Sequence, residues 1–399
     1  MKDTKKVDFS DFNIKITRRN FLSSILASPL LFYGCVSKKS NRWKWDELSQ
    51  DAKNNLHCVD LSDLKEDLPL DIKSRKVILE ITEDWERGYE GFPYDDSFFG
   101  YPTVVRNIHG PNPDYKYYLF YAHHMVGSCI GVAISDNIEG PYIKLKDIDK
   151  KRKNSCVLCP PNPSPENLFH YSTPVVVWNE EKQAWFMYFH YYKNEFDIGK
   201  GHQKTALAIC KDLSTHIWEP LTDESGNLIP VLPTTRERWM NSQSSYHAIQ
   251  RLPNGTWLAF LRGTGGSYEV AQGKKIWVQD PCALGFATSN DGIHWNYFPE
   301  NPIIHQKDGG GGRDGVYKPR FVGFLGNDEY LLCWSESRYY DKDPRIIYGK
   351  TSDFKHIKRD KRGYAKFIPK YDGIITPWRE GKYLYLFTGK ELLTMELPV

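Results

Sequence analysis

Five phrases along this chain set acids, histidines, tyrosines and cations just ahead of strand-like runs, always at the same place relative to the run. Asp95-Asp96 and Tyr101 precede Pro102-Thr-Val-Val, and His170-Tyr171-Ser172 precede Thr173-Pro174. Tyr246-His247 follow Ser245, Arg313-Asp314 lead to Tyr317-Lys318-Pro319-Arg320, and Tyr371-Asp372 lead to Thr376-Pro377. His123-His124 and Trp334-Ser-Glu336-Ser-Arg338 stand at the ends of intervening runs. A carboxylate can take a proton from water, and an imidazole can donate one near neutral pH. A carboxylic acid whose pKa is raised by partial burial can donate as well. Asp96, which strand alternation would turn inward, is therefore the candidate base, and His247 and Glu336 are alternative candidate acids. Asp95, His123, His124, His170, Tyr246, Asp314, Lys318, Arg320 and Arg338 are candidate ligand contacts. Asp95-Asp96-Ser97 is also ordinary turn composition, because short polar side chains bond to their own backbone.

Those phrases need a scaffold that brings them together. The stretch YYLFYAHHMVGSCIGVAISDNIEGPY (Tyr117 to Tyr142) reads as two strands of aromatic and β-branched residues followed by a polar turn. It returns as LAICKDLSTHIWEPL, as GFATSNDGIHWNYF and, shortened, as YGKTSDFKHIK, with Asp136, Asp212, Asp291 and Asp353 as turn residues. Each copy follows one of the anchor phrases, and the anchors lie roughly 72, 73, 72 and 58 residues apart. Five copies predict an all-β fold, a five-bladed β-propeller, rather than an irregular sandwich. The inner strand of every blade begins near the central channel, so the five phrases converge on one spot. Blades are expected at about Tyr94–Asp147, Asn167–Leu221, Ser244–Phe298, Asp314–Lys358 and Tyr364–Val399. The last is short, and the apolar segment near Val77–Ile81 is the expected donor of its missing strand.

Before the repeat, residues 1–34 read as an export signal and 35–85 as a tether and lead-in, with the propeller over 86–399. Arg18-Arg19-Asn20-Phe21-Leu22 follows a basic start and precedes an apolar run ending at Gly34-Cys35. The twin arginines resemble a Tat signal, and Phe32-Tyr33-Gly34-Cys35 resembles a lipobox, with Tyr33 where a small residue is usual. The resemblance implies an exported lipoprotein, periplasmic or at the cell surface, held to a membrane by lipidated Cys35. A net charge of +3 spread over 399 residues gives no basic patch for nucleic acid, and a monomer is expected. Aromatic residues at 14% suit strands and also suit platforms for flat ligands such as sugar rings.

Cys129, Cys210 and Cys333 fall within strand patterns and read as buried thiols. Cys156-x-x-Cys159 has no second ligand pair for zinc, so a local disulfide or two free thiols is expected there. No protein-bound metal or cofactor is expected from these patterns, with Ca²⁺ in the channel left open. Glycines 309–312 lack the Lys-Ser/Thr and helix of a phosphate loop and read as a plain loop.

Taken together, the inner strands, the YYLFYAHH strand, the Ser-Asn-Asp-Gly-x-x-Trp turn and Glu139-Gly140-Pro141-Tyr142 resemble the five-bladed propeller glycoside hydrolases, notably family 43 and its relatives. The resemblance covers roughly Tyr94 to Val399. It implies inverting hydrolysis of a glycosidic bond, with an Asp base from the first blade, a pKa-tuning Asp from the second and a Glu acid from the third. Asp96 stands at the matching place for the base. Blade two has His170-Tyr-Ser-Thr-Pro instead of its Asp, and blade three has Ser245-Tyr246-His247 instead of its Glu. Inversion needs two carboxyl groups roughly 6.5 to 9.5 Å apart, so another group must replace that Glu. The expected function is hydrolysis of an oligo- or polysaccharide. An anionic one fits the cations Arg313, Lys318, Arg320 and Arg338. A glycan-binding propeller without catalysis and a Tyr/His-dependent lyase are the alternatives.

Overall fold

The computed structural model describes residues 59–62, 72–87, 99–124, 127–161, 170–192, 203–252, 255–272, 274–305, 315–326, 328–337, 345–359 and 375–397. Five antiparallel sheets follow one another as blades of a β-propeller. Blade I runs Phe99–Arg106, Tyr117–His123, Ile130–Ser135 and Ile143–Lys144, and blade II runs His170–Asn179, Ala184–Tyr192, Gln203–Cys210 and Glu219–Pro220. Blade III runs Gln243–Arg251, Trp257–Thr264, Ala283–Ser289 and Trp295–Tyr297, with a hairpin, Gly266–Ala271 and Lys274–Gln279, inserted between its second and third strands. Blade IV runs Gly315–Gly326, Glu329–Ser337, Arg345–Thr351 and Lys358–Arg359.

Blade V has three consecutive strands, Ile375–Glu380, Tyr383–Thr388 and Glu391–Glu396, and takes its outermost strand from Ile72–Val77. The borrowed strand therefore lies just ahead of the apolar stretch expected to supply it. The reason is burial. An outermost strand faces water, and IKSRKV is exposed over most of its length, whereas Ile78 and Leu79 are buried in the cluster shared by blades V and I. The lead-in also contributes Val59–Asp60, which pairs in parallel with Gly323 and Phe324 of the inner strand of blade IV.

Middle strands are buried on both faces because a blade is covered by its neighbour on each side. Tyr117–His123 and Ile130–Ser135 are buried at every position, which is why they read as unbroken apolar runs rather than as an alternation. Behind them, Glu86 is fully buried and accepts hydrogen bonds from Tyr121 Oη at 2.8 Å, from the Thr82 and Glu83 amides and from Lys144 Nζ. This cluster fastens the lead-in to blade I. Removing one partner of such a buried ion pair leaves an uncompensated charge worth about 3–5 kcal/mol.

The anchor phrases have a shared backbone geometry. In blades I to IV the pairing of the inner strand with the second strand skips between Gly100 and Thr103, Ser172 and Val175, Ser245 and Ala248, and Tyr317 and Arg320. The two residues passed over are Tyr101-Pro102, Thr173-Pro174, Tyr246-His247 and Lys318-Pro319. The first of each pair is left-handed, with φ of 47°, 51°, 48° and 52°. Proline fits the second place because the ladder there asks for no N–H. Blade V keeps an unbroken register through Thr376 and Pro377, so its copy of the phrase is a plain strand. Inner strands are bolted to one another by Thr103 Oγ1 donating to the Pro174 carbonyl and Thr376 Oγ1 donating to the Pro102 carbonyl, both at 2.6 Å.

Three of the four turn aspartates bond to their own backbone as their composition predicts. Asp291 Oδ1 accepts from the amides of Ile293 and His294, Asp353 Oδ1 from those of Lys355 and His356, and Asp212 Oδ1 from that of Ser214. The cysteines differ from expectation. Cys129 is disulfide-bonded to Cys159, and Cys156 is a buried free thiol. The pairing crosses two strands instead of closing the C-x-x-C. Ile130 lies opposite Leu158, which brings the flanking Cys129 and Cys159 together with Cα atoms 4.4 Å apart. Cys210 and Cys333 are buried free thiols.

Candidate functional site at the channel mouth

Four bulges at one end of four inner strands turn four side chains toward a common place. The ring centroids of Tyr101 and Tyr246 are 6.5 Å apart, and Lys318 Nζ lies 5.5 Å from the centre of the Tyr101 ring. The fourth, Thr173, is small, and its Oγ1 is 2.8 Å from His190 Nδ1. Second strands add the residues opposite the last paired position before each bulge. These are His190 opposite Ser172 and Arg262 opposite Ser245, with the small Ala122 and Ser335 at the matching places of blades I and IV. Two residues beyond Ala122, at the end of its strand, His124 reaches the same spot. So does His170, two residues before Ser172, with its ring stacked on Tyr192 at 5.6 Å.

The three histidines are close-packed. His190 Nε2 is 3.2 Å from both His170 Nε2 and His124 Nδ1, and His124 Nε2 is 2.5 Å from Tyr246 Oη. Burial depresses the pKa of all three rings. His170 is held down to about 3, with the charge of His123 adding to the effect. His124 is lowered by burial and then by His170, Lys318 and Arg262, and His190 by burial and then by His124 and His170. The rings are therefore neutral at pH 7.

Arg262 is 5% exposed, and its guanidinium is fixed from several sides. Nη2 donates to Gln203 Oε1 at 2.9 Å, to Ser245 Oγ at 2.8 Å and to Gln243 Oε1, while the guanidinium carbon lies 4.5 Å from the centre of the Tyr246 ring. The mouth thus combines two aromatic faces, two cations and three neutral imidazoles. Aromatic rings, cations and neutral imidazoles are the groups that recognise sugar rings and acidic substituents.

His124, His170, Tyr246 and Lys318 are thus brought together. His123 is buried beside them at the end of its strand, where its ring acts electrostatically on His124 and His170. Three other expectations are corrected. His247 is fully buried, with Nδ1 3.1 Å from Thr205 Oγ1 and its ring 6.4 Å from that of Tyr188. Burial holds its pKa down to about 3, so it carries no proton to give at neutral pH. Its neighbour in the bulge, Tyr246, is the one that faces the mouth. Arg320 is 6% exposed and donates Nη1 to the carbonyls of His247 at 2.8 Å and Pro319 at 2.7 Å. It joins blades III and IV instead of meeting a ligand. Glu336 follows Ser335, the residue at the mouth position, so strand alternation turns its side chain to the other face. There it accepts from Arg359 Nη2 at 2.5 Å and Trp334 Nε1 at 3.2 Å. This salt bridge makes it a structural residue.

Asp95, Asp96, Asp314, Arg338 and Cys35 lie outside the described residues. His190, Arg262 and Thr173 are the site residues that sequence reasoning missed. For His190 and Arg262 the signal was present in the second strands, where AWFMYFHYY and WLAFLRGT are apolar and aromatic runs carrying a single His or Arg near their ends. A separate polar cleft between blades V and I, lined by Arg106, Tyr117, Asp136, Glu139 and Glu380 among others, is engaged in internal bonds. Tyr117 Oη donates to Glu380, and Lys76 Nζ donates to the Glu139 carbonyl.

No protein-family model and no curated protein matches the sequence. Among solved structures it is similar to one named "Glycoside hydrolase", with TM-score 0.51 and 14% identity over 79% of this chain and 92% of that one. A BT0996 RGII complex is similar with TM-score 0.51 and 14% identity, covering 78% of this chain and 91% of the other. A thermostable family-43 glycoside hydrolase aligns with TM-score 0.43 and 14% identity over 74% and 88%. At these identities the likeness is one of fold. The protein is a five-bladed β-propeller, the architecture on which these glycoside hydrolases are built.

Proposed function

We propose that the protein is a glycoside hydrolase acting on an anionic oligo- or polysaccharide at this mouth. The observation that carries the reading is the convergence of Tyr101, Tyr246, Arg262 and Lys318, from three blades, at one end of the inner strands. Aromatic rings cover the apolar faces of a pyranose, and the two cations pair with a uronate carboxylate or a sulfate. With His247 and Glu336 turned away from the mouth, the reaction needs carboxyl groups from elsewhere. Asp96 precedes the inner strand of blade I in sequence, and Asp314 immediately precedes that of blade IV. We assign Asp96 as the base that activates water and Asp314 as the acid, with Asp95 and Arg338 as further ligand contacts.

A second reading is favoured by one contact. Tyr246 Oη bonds to His124, and the Arg262 guanidinium lies over its ring. A Tyr/His pair of this kind can abstract the proton beside a uronate carboxylate, which is lyase chemistry. Incubation with a panel of uronate-containing, sulfated and neutral oligosaccharides separates the readings. Hydrolysis releases reducing ends from anionic substrates without an ultraviolet-absorbing product. An unsaturated, absorbing product would replace hydrolase by lyase. Thermal stabilisation without any cleavage would make this a binding propeller, and a ligand at 100 times its dissociation constant should add about 2.7 kcal/mol.

The twin-arginine phrase and Cys35 support export and a lipid anchor as part of the same proposal. Acyl chains on Cys35 would hold the protein at a membrane, so Cys35→Ser should move it to the soluble fraction on cell fractionation. Retention of that variant in membranes would sink the anchor.

A further inference from the structure

The histidines of the mouth point ring nitrogens at one another in a way that imidazole hydrogen bonds alone satisfy poorly. The contacting nitrogens of His124, His170 and His190 all lie within 4.8 Å of one another, and two of the three separations are 3.2 Å. A neutral imidazole has one N–H. If His190 Nε2 carries it, one hydrogen must serve two acceptors. If it does not, two donors compete for one lone pair. A cation uses three lone pairs at once, and nitrogens around a tetrahedral ion with Zn–N of about 2.0–2.1 Å sit about 3.3 Å apart. We propose that His124 Nδ1, His170 Nε2 and His190 Nε2 together hold one divalent cation of the zinc class.

The outer nitrogens support that assignment. His190 Nδ1 is 2.8 Å from Thr173 Oγ1, and His124 Nε2 is 2.5 Å from Tyr246 Oη. When these N–H groups donate to the two oxygens, the tautomers are those in which the inner nitrogens of His190 and His124 carry no hydrogen. Two of the ligands stand on strands and the third follows directly on the end of one, so the geometry is held by the sheet ladders of blades I and II.

Three imidazoles, with no carboxylate among the described residues of the cluster, do not suit calcium or magnesium, because those take oxygen ligands. Imidazole sets suit Zn²⁺, Co²⁺, Ni²⁺ and Cu²⁺. Lys318 and Arg262, set over the Tyr101 and Tyr246 rings that flank His124, oppose a further positive charge. An anion in the fourth position, hydroxide or an acidic group of the ligand, offsets that repulsion, and the same field lowers the pKa of bound water. The site rests on the histidines alone and stands whether the protein is a hydrolase, a lyase or a binding propeller. It differs from the metal-free site expected from the sequence.

The test uses the full-length protein, stripped with a chelator, dialysed, and titrated with Zn²⁺ or Co²⁺. Expected results are one bound equivalent by elemental analysis, the visible absorption of tetrahedral Co²⁺, and a rise in melting temperature. His190→Ala should weaken binding by at least about 100-fold, and Thr173→Val, which removes only the oxygen that orients His190, by about 10-fold. His124→Ala, at a strand end and partly exposed, gives the same reading should His190→Ala fail to fold. Absence of metal uptake by the parent protein, or unchanged affinity in His124→Ala, would overturn the site.

Discussion

Asp96→Asn is expected to lower turnover on an anionic glycan by roughly 10² to 10⁴-fold while leaving binding nearly unchanged. The substitution keeps the size and hydrogen-bonding shape of the side chain and removes its ability to accept a proton from water. Its informative partner is Tyr246→Phe. In a hydrolase that variant loses one hydrogen bond, to His124 Nε2, and a bond of this kind is worth about 1 kcal/mol, or roughly fivefold. In a lyase the order reverses, because Tyr246 would then carry the proton and its loss would cost the larger factor. The two variants measured together on one substrate therefore assign the chemistry by which of them is crippled. Parent melting behaviour in both is the control. Full turnover in Asp96→Asn would remove the base from the proposal whatever Tyr246→Phe does.

The fold was readable because its repeat is written twice, in the anchor phrases and in the Ser/Thr-x-Asp turns. Pro102, Pro174 and Pro319 mark bulges where the ladder is broken, and Asp291 and Asp353 close turns with their own carboxylates. What could not be read is which way a side chain turns at a bulge. Tyr246 and His247 are adjacent, and one faces the mouth while the other is buried against Tyr188 and Thr205. A left-handed residue breaks the alternation on which sequence reasoning depends. Glu336 failed for a related reason, since its place relative to Ser335 becomes known only once the register with Tyr317 is known. The closing strand lies ahead of the apolar stretch because an outermost strand faces water and needs no apolar run. Non-glycine residues in the left-handed region are disfavoured by roughly 1–2 kcal/mol each. Four at one end of the channel are tolerated where stacked blades over-determine them, and they deliver Tyr101, Thr173, Tyr246 and Lys318 to a single site.

Acid should unfold this protein well above the range in which its carboxylates titrate. His170 and His247 have ordinary values near 6.5 and are each held down to about 3 in the folded protein, chiefly by burial. Between about pH 6.5 and 3 the unfolded state takes up a proton at each site that the folded state refuses, so stability is full above pH 6.5 and falls as pH drops. Each group contributes about 1.4 kcal/mol per pH unit, so the pair removes about 5 kcal/mol between pH 6.5 and 4.5. That is comparable with the whole stability of many domains. His124 and His190 are shifted in the same direction and steepen the loss. Asp353, lowered to about 2 by hydrogen bonds from His356 and its neighbours against the opposing effect of burial, begins to contribute only as pH falls below about 4. Denaturant unfolding of the chelator-treated protein at half-unit steps from pH 7.5 to 4.5 should show a slope near 3 kcal/mol per unit or steeper below pH 6.5. His247→Gln should reduce that slope by about 1.4 kcal/mol per unit, because only one of the protons is removed. A flat profile down to pH 5 would mean that the rings take up protons inside the fold and that the mouth is wetter than its packing implies.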